Sequence, residues 1–142
     1  MTKRERIYNK FGGRCAYTGK PLGDDWQVDH VRSKIMNEGA AYYQSVDLDE
    51  ISRMIKSVDN IDNLFPAIRI VNHYKRSLDL EGFRDRMTTF HKRLAKQPKN
   101  PVCERSIRRK EYMCKVADAF GITHEKPFSG KFYFETLKEV SL

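Results

Sequence analysis

The stretch Asp62-Asn-Leu-Phe-Pro-Ala-Ile-Arg-Ile-Val-Asn-His-Tyr-Lys75 reads as a strand handing over to a helix, and that succession decides how the chain is built. Leu64–Val71 is apolar and rich in β-branched residues, which predicts a strand. Pro66 offers no N–H to a ladder, so this strand is expected to be bent or to lie at an edge. Asn72 follows where a helix would begin, and Asn is a favoured N-cap. Upstream, Trp26–Val31 reads as a partner strand, with Trp26, Val28 and His30 on one face and Gln27, Asp29 and Val31 on the other. Neighbouring Asp29 and His30 diverge on a regular strand. A bend or bulge is expected there if both are to serve one site.

Working outward, residues 3–11 predict a short helix with Ile7, Tyr8 and Phe11 on one face, stopped by Gly12-Gly13. Tight turns follow at Cys15–Gly19 and Lys20–Asp25. A helix is predicted within 47–58, capped by Asp47 and carrying Ile51, Met54, Ile55 and Val58 as its apolar stripe. Leu80, Phe83, Met87, Phe90 and Leu94 recur at three- and four-residue steps, predicting a helix as far as Pro98. A second long helix is predicted from about Val102 to Phe120, closed by Gly121. Lys131–Leu137 is aromatic and β-branched in character and predicts a terminal strand.

With 142 residues and 39% hydrophobic content, the chain can bury one modest core. A single domain over 1–142 is expected, with a core unit at about 11–78 and a helical extension at about 79–142. Charged residues reach 32%, but the apolar content is too high for a disordered polymer. No stretch approaches the ~20 apolar residues of a membrane span. The polar N-terminus leads into no apolar leader, so a soluble, cytoplasmic protein is expected. Three cysteines at no framework spacing suit a reducing compartment. Each is expected to act as a small core residue.

The net charge of +8 is unevenly spread. Between Arg69 and Lys115 lie fourteen Lys or Arg against five Asp or Glu, which leaves the rest of the chain at −1. Such a tract favours a polyanionic partner, nucleic acid being the commonest. The plain alternative is a solvated helix face.

Cleaving a phosphodiester needs a divalent ion at the phosphate, a base for water, and stabilisation of the leaving oxygen. Hard ions take carboxylate and amide oxygens. Imidazole suits proton transfer near neutral pH. The blocks Val28-Asp29-His30-Val31, Asp62-Asn63-Leu64 and Val71-Asn72-His73-Tyr74-Lys75 supply that set. Singly each is weak, since an Asp-His pair or a lone Asn has ordinary structural uses.

Together and in order they resemble the HNH endonuclease family, whose signature runs Asp-His, then Asn-Leu, then an Asn followed three residues on by Lys. The turn Cys15-x-Tyr-x-Gly-Lys20, the segment Asp79-Leu-Glu-Gly-Phe-Arg84 and the closing Phe132-Tyr-Phe-Glu135 extend the resemblance along most of the chain, with no counterpart for 35–58. It implies an α+β fold with a ββα-metal (His-Me finger) core, additional C-terminal helices and the short terminal strand. His30 would be the general base, Asp29 and Asn72 the ligands of a divalent ion such as Mg2+ or Mn2+, and Asn63 the residue holding the loop that orients His30. Lys75 would face the phosphate or the leaving oxygen. Arg32, Arg69 and Arg76 read as DNA contacts. His73 stays open between an added ligand, a DNA contact and a polar surface residue. Many relatives brace this fold with zinc on two Cys-x-x-Cys pairs. Here those positions hold Cys15, Thr18, Ile68 and Val71, so no structural zinc is expected and an apolar cluster around Cys15 is expected instead. The implied activity is metal-dependent hydrolysis of double-stranded DNA, one strand per active site. The rival is a non-catalytic DNA-binding module of the same fold. A homodimer is one route to a double-strand break.

Overall fold

The computed structural model describes residues 1–32 and 60–140, and the helix expected within 47–58 lies outside them. The described chain is a mixed α/β fold in which one two-stranded antiparallel sheet is followed by several helices. Helix α1 (Lys3–Asn9) opens on a reciprocal cap: the Thr2 hydroxyl accepts from the Glu5 N–H, and the Glu5 carboxylate accepts from the Thr2 N–H. It is followed by the Cys15–Lys20 turn, closed by Cys15 N–H to Lys20 O at 2.8 Å and Gly19 N–H to Cys15 O at 2.9 Å. Gly19 has φ 73°, and a β-carbon there would stand 2.5 Å from the Tyr133 ring, so both backbone and packing require glycine.

Strand β1 (Gln27–His30) pairs with β2 (Leu64–Ala67) in unbroken one-to-one register: Gln27 opposite Ala67, Val28 opposite Pro66, Asp29 opposite Phe65 and His30 opposite Leu64. No residue is inserted, so the expected bulge is absent from β1. Pro66 sits in the strand without breaking it. Its carbonyl accepts from the Ala16 N–H at 2.9 Å, tying the Cys15 turn to the sheet.

Two boundaries differ from expectation. Strand β2 stops at Ala67, not Val71, and α2 (Arg69–Lys75) begins three residues before Asn72. Asn72 is therefore an interior helical residue, its N–H bonded to Ile68 O, while Ile68 stands at the N-cap with no side-chain cap bond. The β-branched run favours a strand locally, but as a helix it buries Val71 and Tyr74 in the core, and that burial outweighs propensity.

The expected helix over 80–97 is divided into α3 (Leu80–Thr88) and α4 (Phe90–Ala95). The break falls at Thr88-Thr89, whose hydroxyls bond to the carbonyls of Arg84 and Arg86. Helix α5 (Glu104–Phe120) ends at Gly121 with φ 70°, as its glycine predicted. The expected terminal strand over 131–137 is instead helix α6 (Tyr133–Val140). Its first N–H groups, of Tyr133 and Phe134, donate to the carbonyls of Tyr17 and Ala16, and the Glu135 carboxylate accepts from the Phe132 N–H. Tertiary hydrogen bonds and packing of Phe132 decide the matter against local β preference.

The main core joins Cys15, Tyr17, Val71, Phe83, Phe90 and Phe132, and a smaller cluster joins Ile7, Trp26 and Leu64. Cys15 is fully buried in the same apolar cluster as Val71, with Ile68 packed at its margin. Cys103 and Cys114 are exposed, contrary to their expected place in the core. No described helix is long and apolar enough to cross a membrane.

Candidate active site

Strand alternation puts Gln27 and Asp29 on one face of β1, and Asn72 and Lys75 lie one turn apart on α2. The two faces meet through paired contacts. The Asn72 amide donates to Gln27 Oε1 at 2.8 Å. The Lys75 ammonium stands 3.2 Å from each Asp29 oxygen and donates to the His30 carbonyl at 3.1 Å. The Tyr17 hydroxyl donates to Asp29 Oδ2.

This cluster is enclosed: Asp29 is 4% exposed and Lys75 0%. Burial raises the Asp29 carboxyl above its usual acidity range, although Lys75, the Tyr17 hydroxyl and His30 all oppose the shift. Burial also pushes the Tyr17 hydroxyl well above its ordinary value, and the adjacent Asp29 charge adds to the effect. Lys75 was expected to face the phosphate. Its ammonium is turned inward onto Asp29, where a buried carboxylate needs a counter-charge.

His30 is the half-buried last residue of β1. Regular alternation starts the His30 side chain from the face opposite Asp29, yet its ring lies close enough to the Asp29 carboxyl to favour the ionised form. The chain just beyond it is clamped by buried Asn63: Oδ1 accepts from the Arg32 N–H at 2.8 Å, Nδ2 donates to Arg32 O at 3.2 Å, and the Asn63 carbonyl accepts from the Val31 N–H at 3.0 Å. Asn63 is held in place by the short 3-10 turn Ile61–Asn63 that leads into β2.

Arg69, His73 and Arg76 are exposed along α2, and Arg32 is exposed beside the Asn63 clamp. The His73 ring nitrogen Nδ1 is 2.7 Å from the Tyr112 hydroxyl on α5. Arg76 ends α2 with φ 55° and ψ −132°, a conformation that favours glycine. Sequence reasoning missed Tyr17 and Gln27 as members of the cluster. The signal for Gln27 was present in its spacing of two from Asp29. For Tyr17 there was none, since its contact depends on how the Cys15 turn docks.

The donor set suits a hard divalent ion in kind, offering the Asp29 carboxylate and the Asn72 and Gln27 carboxamide oxygens. Among the described residues, no three His, Cys, Asp or Glu side chains gather as a metal-binding group. Any ion at Asp29 has therefore to rely on amide oxygens and water, and to share the carboxylate with Lys75 and Tyr17. No family model, curated protein or solved structure matches this chain.

Proposed function

We propose that this chain is a metal-dependent DNA endonuclease of the HNH type, with a ββα-metal core, acting in the cytoplasm and nicking one strand of double-stranded DNA per active site. The observation that carries the reading is the Asn63 clamp. A buried Asn holds the backbone immediately after His30 from both sides, while Asn72 and Lys75 of the packed helix meet Gln27 and Asp29 of the same strand. Nothing in core packing alone calls for that sequence of His, Asn, Asn and Lys on one strand–strand–helix unit.

In this reading Asp29 and Asn72 would hold a Mg2+ or Mn2+ ion, which supplies charge neutralisation at the scissile phosphate when bound. His30 takes a proton from the attacking water at its imidazole. Asn63 fixes the backbone that orients His30. Tyr17 and Lys75 hold the Asp29 carboxylate, and Lys75 also fixes the His30 carbonyl. Lys75 is thus a positioning residue. Arg32, Arg69 and Arg76 meet phosphates, which positions the duplex without reading sequence. A double-strand break takes two visits or a second copy.

The test is a supercoiled-plasmid assay with Mg2+ and Mn2+, wild type beside His30→Ala. Wild type is expected to produce nicked circles, and the variant to lose about 10²–10⁴-fold in rate while still binding duplex. Binding without nicking in every metal tried would leave the DNA-binding module as the better reading. A variant that cuts at the normal rate removes His30 from the role of base.

A further inference from the structure

Helix α5 lies outside the strand–strand–helix unit, yet it carries a row of cations whose C-terminal end, at Tyr112 and Lys115, borders α2. Arg105, Arg109, Tyr112 and Lys115 recur at steps of four, three and three, so they share one helical face. Arg105, Arg109 and Lys115 are exposed, and among the described residues no acidic side chain pairs with any of them. The nearby Arg108 is paired with Glu104, and Glu111, one turn before Lys115, makes no ion pair with it among the described residues. From Arg105 to Lys115 the row is about 15 Å long at 1.5 Å per residue. That length covers roughly four base-pair steps of duplex at 3.4 Å each.

The row runs into α2. A cleft of about 460 Å³ between the two helices is lined by Arg69, His73, Tyr112 and Lys115, with Asp25 also on its wall. The contact between His73 Nδ1 and the Tyr112 hydroxyl joins the helices across it. Burial raises the Tyr112 hydroxyl above its ordinary value, and Arg76 and Arg86 lie close enough to oppose that shift. Arg76 at the end of α2 and Arg86 on α3 thus lie around the Tyr112 phenol, with Arg69 and Lys115 lining the adjoining cleft. Arg76 adds a second line: an arginine is kept at a backbone conformation that glycine would adopt with less strain, a pattern associated with functional surfaces.

We propose that the α5 row, continuous with Arg69 and Arg76, is a docking tract for the phosphate backbone of duplex DNA, with Arg105, Arg109 and Lys115 each taking one phosphate. The occupant is a duplex and not a stacked single strand. Single-strand grooves alternate cations with open aromatic platforms, whereas the one aromatic on this face is half-buried and bonded to His73. The tract supplies affinity and register, not base recognition. It rests on the endonuclease reading for the choice of DNA as polyanion, but not for the existence of the tract.

The experiment measures binding of a fluorescent 20-base-pair duplex by anisotropy, in EDTA, across 50–250 mM salt. Wild type is compared with Arg105→Ala/Arg109→Ala/Lys115→Ala and with a control, Lys92→Ala/Lys96→Ala, at exposed positions of α4 and its C-cap. All five positions are solvent-facing, so circular dichroism and thermal midpoints should match wild type. The α5 variant is expected to lose about 2.7 from the slope of log K against log salt, about 0.9 per phosphate, and to bind at least about tenfold more weakly at 100 mM salt. The control is expected to keep the wild-type slope. An unchanged slope in the α5 variant overturns the tract, as does tighter binding of single-stranded RNA than of duplex. Plasmid nicking by the same preparations separates the two readings. A lost slope without nicking in wild type leaves the tract standing and removes the nuclease, and nicking with an unaltered slope does the reverse.

Discussion

Two carboxylates among the described residues, Asp29 and Glu135, hold a cation from far along the sequence, and their acidities move in opposite directions. Asp29 on β1 meets Lys75 at the end of α2, both enclosed. Glu135 on α6 meets Arg84 on α3 in a two-pronged contact, Nη1 to Oε1 at 2.7 Å and Nη2 to Oε2 at 2.8 Å, with side chains 28% and 19% exposed. At Asp29, burial outweighs every favourable partner and the carboxyl is raised. At Glu135, the Arg84 hydrogen bonds outweigh burial and the carboxyl is lowered. The half-exposed pair therefore favours folding at neutral pH. The enclosed one leaves Asp29 harder to ionise than it would be in water.

The largest effect is expected from breaking the enclosed pair. Lys75→Met keeps the apolar stem but leaves the Asp29 charge unmatched, and should lower the unfolding free energy by about 3–5 kcal/mol in urea titrations at pH 7. Adding Asp29→Asn to that variant removes the charge and keeps an acceptor for the Tyr17 hydroxyl, and should restore more than half of the loss. A double variant no better than the single one would mean that Lys75 matters for packing, and the contrast between the two pairs would fail.

Tyr17→Phe should act on the same carboxylate with a smaller cost, about 1–3 kcal/mol, because one buried acceptor loses its donor. The pH dependence has a definite sign. A carboxyl whose folded pKa lies above its unfolded value lends stability below the unfolded value, and loses it as pH rises through the folded one. Removing the Tyr17 hydroxyl withdraws support from the ionised form, so the deficit should be larger at pH 7 than at pH 4. Equal deficits at both would assign the cost to packing of the ring.

How far these pairs were legible in the sequence differs in an instructive way. Asp29, His30, Asn63, Asn72 and Lys75 stand out in the sequence because, together and in order, they resemble the HNH signature, while each alone has ordinary structural uses. Their grouping on one strand–strand–helix unit follows from the apolar strand signals at Trp26–Val31 and from Leu64 onward, which the structure shows as paired strands. The inward turn of Lys75 was not legible, since whether a lysine reaches solvent or a buried carboxylate depends on the depth at which α2 seats on β1. The Glu135–Arg84 pair was missed altogether. Residues 131–137 have strand-like composition, and only docking of Phe132 into the core and the free carbonyls of Ala16 and Tyr17 make that segment helical. Local composition carries no information about a receiving surface built from residues over a hundred positions away. The split at Thr88-Thr89 was hidden for the opposite reason: apolar spacing continues through it, while two hydroxyls divert the backbone carbonyls.

Glu135→Gln should have the mildest effect and provides the sharpest check on the contrast. One prong to Arg84 and the Phe132 N–H contact can survive through the remaining carbonyl oxygen, so the charge assistance and the second prong are what is removed. The expected loss is about 1 kcal/mol at pH 7, near 3 °C in thermal midpoint for a chain of this size. The Glu135 carboxyl sits below its ordinary value of 4.5 in the folded chain. Its contribution is complete above the unfolded value and disappears as pH falls through the folded one. Wild-type and variant midpoints should therefore differ at pH 7 and converge only as pH falls below 4.5 and through the lowered folded value. The Tyr17→Phe deficit should also shrink on acidification, but it begins to do so at higher pH, because Asp29 takes up its proton sooner. If both deficits faded over the same pH range, the two carboxylates would share one acidity, and the difference between the enclosed and the half-exposed pair would not exist.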